Sequence, residues 1–264
     1  MKKKIVFVHF LLMVCVCIAH TQQYDPESDF KVKVIQGGRE IEILEYLGSK
    51  QEVRIPSRIN NLPVTIIGED AFTRKRLNNV TIPGTVYQIE NNAFRDNQLT
   101  GITMPDSLTE IGSRAFANNR LTNVNLPDGV TKIGREAFRN NQLTNITIPN
   151  SVTTMGSGAF ERNQLTGVTI GNRLRTIEIT AFADNKLTNV TIPPNVTSIG
   201  NNAFKGNQIT GITIGANVNI AGGSNPLNRN IIFDSFEHNF PDFYDNNGKK
   251  AGTYTTTAGG WNFN

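Results

Sequence analysis

The chain has 264 residues, with 26 Lys and Arg against 22 Asp and Glu, three histidines and two cysteines. That length sets one or two domains. So few histidines and cysteines leave little material for a metal or nucleophile site, and a net charge of +4 is too small to mark a nucleic-acid binder.

The N-terminus lowers that charge further. Lys2, Lys3 and Lys4 precede an apolar run from Ile5 to Ile18, and Ala19 and Thr21 follow as small residues. This is the layout of a secretory signal peptide over 1–21, cleaved after Ala19 or Thr21. The run is shorter than the about 20 apolar residues a membrane helix needs, and no transmembrane segment is expected in the mature chain. Cleavage removes three lysines and no acid, so the mature balance is 23 − 22 = +1. Nucleic acid then loses its main support as a partner. Cys15 and Cys17 both lie in the apolar run, leaving no mature disulfide, thiolate or cysteine metal site. A lipid anchor would need one of them as the mature N-terminus, and Val14 and Val16 are not the small residues such processing favours.

Residues 22–54 read as an N-terminal cap. Phe30, Val32 and Val34 alternate, Gly37-Gly38 turns, and Ile41 and Ile43 alternate again. This predicts a β-hairpin leading into the first coil.

Residues 55–215 repeat. Ala-Phe recurs at Ala71-Phe72, Ala93-Phe94, Ala115-Phe116, Ala137-Phe138, Ala159-Phe160, Ala181-Phe182 and Ala203-Phe204, always 22 apart. Leu77, Leu99, Leu121, Leu143, Leu165, Leu187 and Ile209 keep the same step. Counted from that leucine, the unit reads L-T-x-V-x-I-P-x-x-V-x-x-I-G-x-x-A-F-x-x-N-x. Positions four and six alternate as a short strand, and the proline after them ends it. The Ala-Phe stretch has room for one helical turn. The asparagine column (Asn97, Asn119, Asn141, Asn163, Asn185, Asn207) can satisfy turn backbone that would otherwise be buried unpaired. One coil cannot bury its seven apolar positions, so the coils must stack, strands about 4.8 Å apart, into a rod roughly 30–35 Å long. The first coil carries a longer loop, with 12 positions from Ile55 to Ile67 against 7 from Ile82 to Ile89.

Residues 216–264 read as a C-terminal cap. Phe243-Tyr244, the turn Asp245–Gly248 and the threonine-rich stretch to Thr257 predict another hairpin, with a further turn and strand at Gly259, Gly260 and Trp261.

The pattern V-T-I-P-x-x-V-x-x-I-G-x-x-A-F resembles the BspA-like, treponemal-type leucine-rich repeat over about residues 50–215. The resemblance implies a leucine-rich-repeat solenoid of short parallel strands and turns or short helical turns, closed by hairpin-like caps. It also implies a secreted or surface-exposed protein that binds host matrix, host proteins or other bacteria. This sequence departs from that family in three places. Asparagine stands where the family often has cysteine. Glu90 and Glu178 replace the glycine after the core isoleucine. Gly171 and Gly215 replace the strand-ending proline.

No catalytic constellation is legible, and no cofactor or metal is expected. After cleavage at Thr21 the remaining histidine is His238, within Asp234–Asp242, where no ligand spacing is recognisable. Asn79, Asn145, Asn189 and Asn195 begin N-x-T triplets, three of them on one repeat column, which reads as a by-product of the repeat. The outward strand positions are Thr, Asn and Gly. An array of this kind could hold ice or a flat polymer, but threonine also simply suits an exposed strand. The cations gather after each Phe: Arg74, Lys75, Arg76, Arg95, Arg120, Arg139, Arg162, Lys186 and Lys205, against Asp96, Glu161 and Asp184, a balance of 9 − 3 = +6. This basic edge is the candidate ligand-binding surface, for an extracellular or envelope protein or an anionic glycan. The expectation is an exported, non-catalytic binding scaffold. The alternatives are a structural envelope or periplasmic component without a host ligand, and a site in the C-terminal cap.

Overall fold

The computed structural model describes residues 24–220, 244–257 and 260–263. The leader 1–21, Phe243 and His238 lie outside the described residues.

Most coils carry two short strands where the repeat suggested one; the first is reduced to a single bridge at Thr103 and is absent at 123–125. The first covers positions three to five. Glu52–Arg54 pairs in parallel with Asn79–Thr81, Asn145–Thr147 with Gly167–Thr169, and Asn189–Thr191 with Gly211–Ile214. The second, two residues long, ends on the core isoleucine. Gln88–Ile89, Glu110–Ile111, Lys132–Ile133 and Thr154–Met155 extend a sheet that begins with the N-terminal strands Phe30–Ile35, Glu40–Tyr46 and Leu62–Ile67. It resumes as a separate ladder from Thr176–Ile177 through Ser198–Ile199 to Asn219–Ile220.

Between the strands lies the core. Phe72, Phe94, Phe116, Phe138, Phe160, Phe182 and Phe204 are fully buried and stack in one file, neighbouring ring centroids 4.9 to 5.7 Å apart. That spacing matches the distance between adjacent strands, so ring stacking and strand pairing demand the same coil separation.

The Ala-Phe segment is a turn rather than a helical turn. The residues flanking it have left-handed backbone, for example Asn92 (φ 57°) before Ala93-Phe94 and Asp96 (φ 57°) after. Amides that a helix would turn inward instead reach the next coil: Asn92 to Ser113, Phe94 to Ala115 and Asp96 to Ala117, at 2.8 to 3.0 Å. The turn is therefore a third ladder. The asparagine column secures it. Asn119 Nδ2 donates to the carbonyls of Phe94 (3.0 Å) and Phe116 (3.1 Å), while its Oδ1 accepts from the Leu99 amide at 3.1 Å. One side chain thus joins two coils and satisfies backbone groups that lack water.

Glycine after the core isoleucine is set by close approach. A Cβ on Gly134 would collide with the Gly112–Ser113 backbone of the coil before it. Glu90 breaks this rule but keeps its amide bond to Ile67 at 2.9 Å. At Glu178 the ladder is interrupted, since Thr154–Met155 and Thr176–Ile177 are not paired. The same coil shows Ile179 half exposed and Thr180, a β-branched residue, at φ 52°.

The N-terminal hairpin forms as the sequence predicts, Phe30–Ile35 against Glu40–Tyr46, with a bulge at Lys31/Val32 that leaves Val34 exposed. The long loop of the first coil is a second hairpin, Arg58–Ile59 with Leu62–Ile67, turned by Asn60 and Asn61 at positive φ. Asp25, buried, ties the start of the described chain down: its amide donates to the Arg54 carbonyl (2.9 Å), and its carboxylate accepts from the Arg54 amide (2.7 Å) and from Lys50.

The C-terminal cap differs from the predicted hairpin. The turn at Asp245–Gly248 is present, closed by the Gly248 amide on the Asp245 carbonyl at 3.0 Å. Tyr244, however, sits in a helical turn rather than a strand. Gly252–Thr257 instead runs antiparallel to Gly211–Ile214, closing the edge of the last coil, and then pairs with Gly260–Phe263. Tyr244 explains the choice. Its buried hydroxyl donates to Gly215 O (2.6 Å) and accepts from the Val218 amide (3.2 Å), satisfying the end of the coil with a side chain.

Candidate functional site

The nine cations of the predicted edge do not behave as one row. Arg74 and Arg95 pair with Asp96 (3.1 and 3.4 Å), and Lys75 pairs with Glu45 (3.3 Å). Arg139 reaches Glu136 (3.7 Å) and Glu161 (3.4 Å), and Arg162 lies between Glu161 and Asp184, 3.6 Å from each. Three of these seven contacts, Arg74–Asp96, Arg139–Glu161 and Arg162–Asp184, join one coil to the next at 22 residues' distance, so this part of the edge is an alternating-charge zipper.

Glu136 is its most buried member, 8% exposed. Arg114 Nε contacts it at 2.6 Å, Arg135 at 3.1 Å and Arg139 at 3.7 Å. Burial works against the carboxylate, but the Arg114 hydrogen bond and the charges of the three arginines outweigh it, holding the Glu136 carboxyl below the ordinary value. The same hydrogen bond pushes Arg114 up. Neither Arg114 nor Arg135 belonged to the predicted edge; the signal for Arg114 was an acid one period away, and Arg135 directly precedes that acid. Glu90 is pushed up by burial and by Glu42, an effect the Glu69 amide hydrogen bond partly offsets.

Four edge cations have no acidic partner among the described residues: Arg76, Arg120, Lys186 and Lys205. The first three share position 22, directly before the first strand, and all three are exposed. Lys186 contacts only the Gln164 amide oxygen in that column, at 3.1 Å. The neighbouring segments are 76–81, 98–103, 120–125, 142–147, 164–169, 186–191 and 208–213, and they contain no Asp or Glu. From Arg76 to Thr213 the outward strand face and the column beside it therefore form one acid-free surface of threonine, asparagine, glutamine and glycine, with three cations that lack an acidic partner along one border; the strand before it carries the exposed Glu52 and Arg54.

The N-x-T asparagines separate structurally. Asn79, Asn145 and Asn189 are exposed on the strand face. Asn195 is half-buried, its Nδ2 held by the Leu174 carbonyl at 2.6 Å. Among the described residues no group of three or more His, Cys, Asp or Glu is arranged to hold a metal ion, and no helix is long and apolar enough to cross a membrane.

A stacked 22-residue coil with a Phe file and an asparagine ladder defines a class of leucine-rich-repeat solenoid. The "BspA type Leucine rich repeat region" family matches in six copies over residues 65–186 and 110–225, together more than half the chain, and the protein belongs to that family. Among solved structures it is similar to a leucine-rich-repeat protein of T. pallidum, at 28% identity and TM-score 0.58, covering 67% of this chain and 81% of that one. It is also similar to a leucine-rich cell surface protein from Faecalibacterium prausnitzii A2-165, at 25% identity and TM-score 0.66, covering 91% of this chain and 60% of that one. A leucine-rich-repeat protein from Eubacterium ventriosum shares the fold at 24% identity and TM-score 0.54. No curated protein matches.

Proposed function

We propose that this protein is an exported, non-catalytic recognition scaffold that binds an anionic extracellular partner, a sulfated glycan or an acidic protein surface, in adhesion. The observation that carries this reading is the segregation of charge. Seven consecutive coils keep every acid off the strand face and its border, while Arg76, Arg120 and Lys186 remain there unpaired. Cations already neutralised one coil away attract a partner weakly, and free ones on an acid-free border attract it more. Of the other six residues of the basic edge, Arg74, Lys75, Arg95, Arg139 and Arg162 are paired with acids and act mainly in holding the coils together, and Lys205 adds to a secondary field. Export rests on the leader-like segment 1–21, and surface placement on the likeness to a cell surface protein.

Retention of the chain 22–264 on immobilised heparin over a salt gradient tests the binding. With a net charge of only +1 after cleavage, retention above low salt reports a local surface rather than bulk charge. Passage without retention overturns the anionic-partner reading. Complete protection from protease added to intact cells overturns surface placement.

A further inference from the structure

We propose that a slot in the strand face, between coils 121–142 and 143–164, binds one neutral pyranose unit of a glycan. This rests on the reading that the strand face is the recognition surface, and it names a site and a ligand chemistry within it.

Where the first-strand ladder is closed, an amide after the strand donates to the next coil: Ile55 to Thr81 (3.1 Å), Ile148 to Thr169 (2.8 Å) and Ile192 to Thr213 (2.7 Å). Between Leu126 and Thr147 that bond is not made, as it also is not between Met104 and Asn125 or between Ile170 and Thr191, and at this junction residues 123–125 in addition form no strand. The two backbones part there and leave a slot of ≈290 Å³. Its polar lining is Asn123, Asn125, Thr144, Asn145 and Thr147, and its floor is apolar, from Val124, Leu126 and Ile146. None of the five polar side chains is hydrogen-bonded to another described residue. The repeat does not require this arrangement, because Asn125 stands where the other six coils place threonine: Thr81, Thr103, Thr147, Thr169, Thr191 and Thr213.

The chemistry of the slot narrows the ligand. Three amides and two hydroxyls supply paired donors and acceptors, the pattern that meets adjacent sugar hydroxyls. No charged group lines the slot, which disfavours a phosphate or carboxylate as occupant. The apolar floor suits the C–H face of a sugar ring. The volume lies at the lower limit of small-molecule pockets, about 300 Å³, which fits one ring. An inserted peptide strand would need the coils about 9.6 Å apart, twice the strand spacing, yet Phe138 and Phe160 of the same two coils remain 5.3 Å apart. Unbonded backbone at the slot supplies further donors and acceptors. Arg120, the last residue of the preceding coil, is the border cation nearest the slot in sequence.

The test is an amide chemical-shift titration of the chain 22–264 with the methyl glycosides of glucose, galactose, mannose and N-acetylglucosamine. The expected result is saturable, millimolar binding of at least one, with shifts centred on 123–126 and 144–147. Asn123→Ala and Asn125→Thr, the latter restoring the repeat residue, should each weaken that binding at least tenfold. Asn79→Ala, on the same column two coils away, should leave it unchanged. All three positions compared are exposed, and a thermal melt of each variant verifies that the fold is intact. No saturable shift with any glycoside, shifts centred elsewhere, or unchanged binding in both slot variants overturns the proposal. If heparin retention persists in that case, only the slot assignment falls. If retention is lost as well, the strand face is not the recognition surface.

Discussion

The side-chain amide of Asn141 donates to the carbonyl of Phe116 at 2.9 Å, across the boundary between two coils. The same nitrogen reaches Phe138 O at 3.1 Å, and Asn141 Oδ1 accepts from the Leu121 amide at 3.1 Å. Asn141→Ala leaves the Leu121 amide buried and unpaired and removes one of two donors from each carbonyl, since Phe116 O keeps Asn119 (3.1 Å) and Phe138 O keeps Asn163 (3.0 Å). We expect a loss of about 1–3 kcal/mol, read from urea unfolding. A change under 1 kcal/mol would mean that water replaces the amide.

Phe138 is fully buried between Phe116 and Phe160, with ring centroids 5.4 and 5.3 Å away. Phe138→Ala should cost about 3–5 kcal/mol. Coils touch only their neighbours, so the cavity should also uncouple the halves of the rod. Calorimetry should then show two transitions, and a single transition merely shifted down would show coupling beyond nearest neighbours.

Thr180 holds a left-handed backbone at φ 52°, where the equivalent positions carry Asp70, Asn92, Arg114, Glu136, Gly158 and Asn202, none of them β-branched. A β-branched residue is poorly suited there, and asparagine tolerates it. Thr180→Asn should stabilise the chain by about 1 kcal/mol, and the reverse change, Asn92→Thr, should destabilise it by a similar amount. Thermal melts of the two variants check the pair. Opposite signs are expected, and equal signs would show that the backbone strain is not what matters.

Two carboxylates should respond oppositely to acid. The Glu136 carboxyl is held low, so its stabilising contribution is complete above the unfolded value of about 4.3 and is lost as pH falls from there through the folded value. Glu90 is held high, so its penalty is full above its folded value and disappears as pH falls toward the unfolded one. Glu136→Gln should therefore lower the melting temperature at pH 7 and reduce its fall toward pH 3. Glu90→Gln should raise the melting temperature at pH 7 and change little at pH 3. Parallel shifts of both variants across pH would refute the assignment.

The Phe file, the alanine before it and the asparagine column were legible because a strict 22-residue period exposes any position that all coils must share. The second strand was not. At two residues, as in Lys132–Ile133, it is too short for alternation to register. The charged edge was legible only as composition. Pairing such as Arg114 with Glu136 depends on the next coil, and it emerges when charges are compared one period apart rather than along one turn. The C-terminal cap was misread at Tyr244, whose buried hydroxyl does the work assigned to a strand.

Under the proposed function, recognition depends on the cations without acidic partners that border the acid-free strand face, not on total basic charge. Two triple variants of equal charge test it: Arg76, Arg120 and Lys186 to Ser, and Arg95, Arg139 and Arg162 to Ser. On immobilised heparin the first should elute at distinctly lower salt than the parent chain, and the second should elute close to it. Equal losses, or a greater loss in the second, would contradict the account.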